Sequence, residues 1–214
     1  MRIINSLRYN SAPQTQPGHF FCQITWTTFM PLPKPDDRTH LHSRAITFEG
    51  FEREDGMWDI EAHMTDTKAY EFNNDWRGRI KVGEPLHEML LRITIDNEFI
   101  VRGIVAVTDN SPFEMCPEIV INYQALIGIR IGPGWRKEIR QRVGGKDGCT
   151  HLTELLYPMA TVAFQTIWPR MRQRQEPDGV QSSGRPGIID TCHAWAADSP
   201  VVKKHQPRYY TGDE

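Results

Sequence analysis

The sequence predicts an α+β domain, an antiparallel sheet with helices packed on one side. Two observations carry this prediction. Between residues 45 and 108 apolar and polar residues alternate as strands require, whereas from 119 onward the apolar residues recur at helical spacing. Strands grouped before helices favour a segregated α+β arrangement over a doubly wound sheet.

The elements follow in chain order. Residues 1–40 are polar and broken by Pro13, Pro17, Pro31, Pro33 and Pro35, with one candidate strand at 19–29. Ala45 to Phe48 reads as a short strand, and Arg53 to Gly56 as a turn. From Met57 to Met64 the alternation is clean: Trp58, Ile60, Ala62 and Met64 share one face, and Asp59, Glu61 and His63 the other. Residues 88–96 and 99–108 form a predicted hairpin around Asn97 and Glu98. After Cys116 and Pro117, Ile119, Val120, Tyr123, Leu126 and Ile127 predict a helix that Gly128 stops. Trp135, Ile139 and Val143 mark a second, basic helix, ended by Gly144 and Gly145. The longest helix starts at Cys149 or Thr150. Its apolar stripe is Leu152, Leu155, Leu156, Met159, Val162, Ala163 and Ile167, with a kink expected at Pro158. The implied organisation is an irregular segment (1–40), one α+β domain (41–172), a linker (173–187) and a C-terminal segment (188–214) packing back on the domain.

Composition excludes several classes. The 214 residues carry 25 Lys and Arg against 27 Asp and Glu, a net charge of -2, so no global field attracts nucleic acid. The basic residues Arg136, Lys137, Arg140, Arg142, Arg170, Arg172 and Arg174 read as solvated faces. No apolar run approaches the roughly 18 residues of a membrane span. The first residues have no apolar core of a secretory signal, and the expectation is a cytoplasmic protein. Cys22, Cys116, Cys149 and Cys192 are too scattered for a disulfide scaffold and suit a reducing compartment. Walker, dinucleotide, HExxH, Gly-x-Ser-x-Gly and CxxC motifs are all missing.

Several constellations offer chemistry. On a strand, Glu61 and His63 leave one face roughly 7 Å apart, close enough to converge on an ion or substrate; a plain solvated strand face is the alternative. Cys116 and Cys149 each stand just before a predicted helix, where free amides favour a thiolate that is either nucleophile or metal ligand; buried packing is the competing role. In GGKDGCTHLTELL, His151 and Glu154 share a helix face one turn from Cys149, bringing thiol, imidazole and carboxylate within reach of one point. Glu84 and His87 are candidate ligands from a loop, or an exposed loop alone. Asp190, Cys192 and His193 form a further cluster beyond the linker.

The stretches DGMWDIEAHMTDTK (55–68), GEPLHEMLLRITID (83–96), GCTHLTELL (148–156) and DTCHAW (190–195) resemble a bacterial family of unknown function, domain 2889, from about Arg44 through Tyr210. The resemblance implies a bacterial protein with signature residues Asp59, Glu61, His63, Asp66, Lys68, Glu84, His87, Cys116, Cys149, His151 and Glu154. The order of elements over 87–167 is also similar to NifU-like iron–sulfur scaffold domains, implying a NifU-like or SufE-like core. There Cys116 and Cys149 would match two ligand cysteines, Glu84 to His87 would stand where a third belongs, and Gly148 replaces the histidine before the last cysteine.

These readings converge on a centre built from Cys116, Cys149, His151, Glu84 and His87, holding zinc or iron. Glu61 or His63 would act as acid and base on a small organic substrate. In a metal-free version Cys149 is the nucleophile and His151 its base. The alternatives are a metal-binding or sulfur-handling scaffold without catalysis, and a non-catalytic binding domain. The oligomeric state is open.

Overall fold

The computed structural model describes residues 32–175 and 184–213. The candidate strand at 19–29, Cys22 and much of the 173–187 linker lie outside them. The chain divides into Met1–Thr39 and His40–Glu214, and among the described residues every strand and helix belongs to the second unit.

Four strands form an antiparallel sheet in the order β1-β2-β5-β6: β1 (His42–Glu52), β2 (Trp58–Lys68), β5 (Pro85–Ile95) and β6 (Val101–Asn110). A two-stranded ribbon, β3 (Phe72–Asn74) with β4 (Gly78–Ile80), is inserted between β2 and β5. The ribbon has strands too short for alternation to reveal. The turn after β1 forms as its residues predict: Gly56 takes a positive φ of 82° while its amide donates to the Arg53 carbonyl at 3.2 Å. Helices α1 (Trp135–Val143), α2 (Thr150–Gln175) and α3 (Pro200–His205) complete the unit with short 3-10 segments. Among the described residues no helix is long and apolar enough to cross a membrane.

One face of the sheet is the core. Trp58, Ile60, Ala62 and Met64 of β2 and Met89, Leu91, Ile93 and Ile95 of β5 are buried against Leu152, Leu155, Leu156, Met159, Ala163 and Ile167 of α2. The α+β prediction therefore holds, and α2 passes without interruption through both Pro158 and Pro169. One predicted element changes type. Cys116–Leu126 is a 3-10 helix rather than an α-helix. Its core contacts come from Val120, Tyr123 and Leu126, a spacing of three that a helix with three residues per turn lines along one side.

Helix α2 runs antiparallel to β2, and its two ends are fixed by different chemistry. At the C-terminal end Arg170 and Arg174 pair with Glu52 of β1, and the Arg174 guanidinium lies 5.7 Å from the Trp58 ring centre. In between, Gly50 lets the helix approach β1, since a Cβ there would lie 2.0 Å from Thr166 Oγ1. The N-terminal end of α2 is thereby delivered to the far end of β2, where the sheet's apolar face turns polar.

Candidate metal centre

The buried row of β2 continues in steps of two from Trp58 through Met64 to Asp66, a carboxylate only 2% exposed. The register places Arg44 of β1 and His87 of β5 directly beside it, one on each neighbouring strand. The regular β2–β5 ladder ends there, with a register shift between Asp66 and Thr67, a disturbance of the kind that re-aims side chains near functional sites.

Asp66 is the hub. The Arg44 guanidinium donates from Nε to Oδ1 and from its terminal nitrogen to Oδ2, both at 2.8 Å. His42 Nε2 is 3.2 Å from Oδ1. On the other side, His87 Nδ1 lies 3.0 Å and His151 Nε2 3.7 Å from Oδ2. The two imidazoles lie with centres 4.0 Å apart and their planes tilted by 36°. One ligand atom each from Asp66, His87 and His151 falls within 4.8 Å of the others. Although His87 Nδ1 is near Asp66, this buried nitrogen forms no hydrogen bond. Glu154, at the rim, reaches Arg44 at 3.5 Å.

The electrostatics keep the three groups in their metal-binding forms. Burial, reinforced by the charge of His151, pushes the His87 imidazole down to about 4. Burial and then the Arg44 charge also push His151 downward. For Asp66, burial works to raise the carboxyl, but the hydrogen bonds and charge of Arg44 outweigh it and hold the group at about 2. His87 would add to that lowering only when protonated, and it is neutral at pH 7. At neutral pH Asp66 is thus a carboxylate, and His87 and His151 are neutral imidazoles.

Cys149 flanks this group without joining it. Its backbone N–H donates to the Tyr123 hydroxyl at 3.1 Å, and its carbonyl accepts from the same hydroxyl at 3.0 Å. Tyr123 is fully buried, and Thr153 Oγ1 lies 2.8 Å from its hydroxyl. Burial pushes its hydroxyl up to about 12, so it stays protonated. The Cys149 sulfur touches Met89 Sδ at 3.9 Å and His151 Nδ1 at 3.8 Å.

Of the residues singled out from the sequence, His87 and His151 meet in this group and Cys149 lies beside it. Glu84 goes elsewhere: its carboxylate accepts from Arg77 at 2.9 Å and from the Lys81 amide at 3.2 Å, bracing the loop before β5. Among the described residues Cys116 belongs to no such group. Glu61 and His63 project from the opposite face of the sheet, where Glu61 pairs with Arg92 at 2.6 Å and His63 with Glu88 at 3.2 Å. The same parity that buries Trp58 and Met64 sends them away from Asp66. Asp190 is occupied in its own loop, accepting from the Ala197 amide at 2.8 Å and pairing with Arg185. No local spacing singles out Asp66, Arg44 or His42, and Asp66 stands among the expected residues only through the family resemblance. The available signal was Asp66 itself, a charge at the parity of four apolar core residues.

Fold and site together define an α+β protein with a carboxylate and two imidazoles converging at the end of an antiparallel sheet. The chain belongs to the family described as protein of unknown function (DUF2889), whose model matches residues 42–165, more than half the chain. That span includes all three residues of the cluster. No curated protein and no solved structure matches the chain.

Proposed function

We propose that this protein is a metal-dependent enzyme whose centre is one divalent transition-metal ion held by Asp66, His87 and His151. The observation that carries the reading is the buried His87 Nδ1, which forms no hydrogen bond yet faces, at 3.0 Å, a carboxylate oxygen that a second imidazole also faces. Metal bonds of about 2.0–2.2 Å bring two ligand atoms on one ion to within about 3–4 Å of each other, and both imidazole–carboxylate separations fall in that range. Two nitrogens and one oxygen suit iron, zinc, cobalt or manganese, with positions left open for water or substrate. Arg44 and His42 complete the outer layer by fixing the carboxylate, as ligating carboxylates generally require. When bound, the ion would polarise a carbonyl or activate water on a small organic substrate. The chain's own contribution is a charge-matched, half-enclosed cradle with Glu154 and Arg44 at its rim. Because the donor set contains no thiolate, it favours a mononuclear ion over an iron–sulfur scaffold.

The decisive measurement is metal analysis of untagged protein purified without oxygen, followed by titration of the stripped protein with iron, zinc, cobalt and manganese. A single bound ion is expected, lost in Asp66→Asn and His87→Gln variants that keep their fold. Stripped protein that takes up none of the four would overturn the reading.

A second reading draws on one specific line of atoms. Cys149 Sγ, the His151 ring and Asp66 Oδ2 follow one another at 3.8 and 3.7 Å, the order of nucleophile, base and orienting carboxylate. It requires Nδ1 to be the bare nitrogen that takes the thiol proton and Nε2 to carry hydrogen toward Asp66. Stoichiometric alkylation of Cys149, accelerated relative to a His151→Gln variant, would support it.

A further inference from the structure

We infer that Cys149 is a positioning residue that fixes the proton of His151 on Nδ1 and so aims its bare Nε2 at the metal centre. The inference rests on the metal reading above and adds a role for the sulfur next to it. A neutral imidazole has one N–H and one lone pair, and its neighbours decide which nitrogen carries which. Around His151 the two sides are unequal. Nε2 stands 3.7 Å from Asp66 Oδ2, beyond hydrogen-bond range, and that oxygen already accepts from Arg44 at 2.8 Å. Nδ1 is 3.8 Å from Cys149 Sγ, within the longer range of a bond to sulfur.

The sulfur is free to accept. Its own hydrogen has a partner on the other side, Met89 Sδ at 3.9 Å. The chain of donors therefore runs from His151 Nδ1–H to Cys149 and from Cys149 S–H to Met89. Each link is anchored independently. Met89 is a buried residue of β5, two positions after His87 on the same face, and Tyr123 clamps the Cys149 backbone through both its N–H and its carbonyl. A metal-binding histidine almost always donates its second nitrogen's hydrogen to an outer partner, which sets the ring's orientation and basicity. Here the partner is a thiol. The bare Nε2 and the carboxylate oxygen, both electron-rich, face each other at a separation that a shared cation would bridge.

Nitrogen NMR of the metal-free, labelled protein reads the tautomer directly, with His151→Gln assigning the signal. The Nδ1-protonated form is expected in the wild type and in Cys149→Ser, whose hydroxyl also accepts, and a shift toward the Nε2-protonated form in Cys149→Ala. Cobalt titration of the same proteins is the second arm. Wild type should bind with no thiolate-to-cobalt charge-transfer band. Cys149→Ala should bind roughly 10- to 100-fold more weakly, and Cys149→Ser should lie near wild type. A charge-transfer band would make the sulfur a ligand and overturn the inference, as would an alanine variant unchanged in both tautomer and affinity. An Nε2-protonated ring in a wild type that still binds cobalt overturns this inference alone. A wild type that binds no cobalt overturns it together with the metal reading.

Discussion

Arg44 and Asp66 stand opposite each other on neighbouring strands, and both carboxylate oxygens of Asp66 accept from the Arg44 guanidinium at 2.8 Å. The fork-to-fork geometry uses Arg44 Nε as well as a terminal nitrogen, which a lysine cannot reproduce. Removing it leaves a buried carboxylate short of its main compensation. Arg44→Met is expected to destabilise the fold by roughly 2 kcal/mol, and Arg44→Lys to recover less than half of that loss. Urea-denaturation midpoints at pH 7 measure both. Full recovery by lysine would show that charge alone, not the fork, holds Asp66.

The same cluster makes the protein sensitive to acid in two separate windows. His87 is held at about 4 against an ordinary 6.5, so the unfolded chain takes up a proton first. Its contribution is complete above pH 6.5 and is lost as pH falls toward 4. Asp66 is held at about 2 against an ordinary 3.8, so its contribution is complete above pH 3.8 and is lost as pH falls through 2. The His87 step is worth roughly 3 kcal/mol and the Asp66 step roughly 2 kcal/mol. Stability of metal-free protein, followed by denaturation from pH 8 to pH 3, should decline first between 6.5 and 4, and His87→Gln should flatten that decline. An unchanged profile in the variant would remove His87 as its source.

Much of this architecture is legible in the residues, because burial on one face imposes alternation. Trp58, Ile60, Ala62 and Met64 announce β2 and its orientation, and the α2 stripe from Leu152 to Ile167 announces the helix that covers it. The site was only half legible. His87 and His151 stand out as titratable groups beside strand and helix starts, but neither names its partner, since pairing between β1, β2 and β5 spans residues 42 to 95. Asp66 and Arg44 become neighbours only through that register. The local pairs that the sequence offers lie apart from the Asp66 group for a physical reason: Glu61 and His63 leave the opposite face of the sheet, and Glu84, though close to His87 along the chain, is paired with Arg77. Cysteines at helix starts were a fair signal of Cys149's place, though not of its being an outer partner of His151.

Tyr123 offers a test of how firmly that outer partner is held. Its hydroxyl accepts from the Cys149 amide at 3.1 Å, and Thr153 Oγ1, 2.8 Å away, in turn donates to the Val143 carbonyl at 2.8 Å. Tyr123→Phe keeps the ring in the core but orphans the Cys149 amide. The expected cost is about 1–3 kcal/mol, together with faster hydrogen exchange of the Cys149 amide in the native protein. Exchange unchanged from wild type would mean that the amide finds another acceptor.

Gly50 sets the distance at which α2 rides on β1, and therefore where His151 is delivered. A Cβ there would meet Thr166 Oγ1 at 2.0 Å and its Cβ at 2.8 Å, a clash that a rotamer change alone does not remove because the Thr166 Cβ is fixed to the helix backbone. Gly50→Ala is expected to cost roughly 1–3 kcal/mol by overpacking, raising the helix from the sheet near its middle. Thr166→Ala removes the hydroxyl and methyl but leaves the Cβ, so the double variant should regain part of the loss, while Thr166→Gly in the same background should regain more of the clash energy at roughly 1 kcal/mol of helix propensity. Thermal unfolding of the four proteins with wild type gives the coupling directly. Independent, additive effects at Gly50 and Thr166 would show that the helix does not ride on this contact.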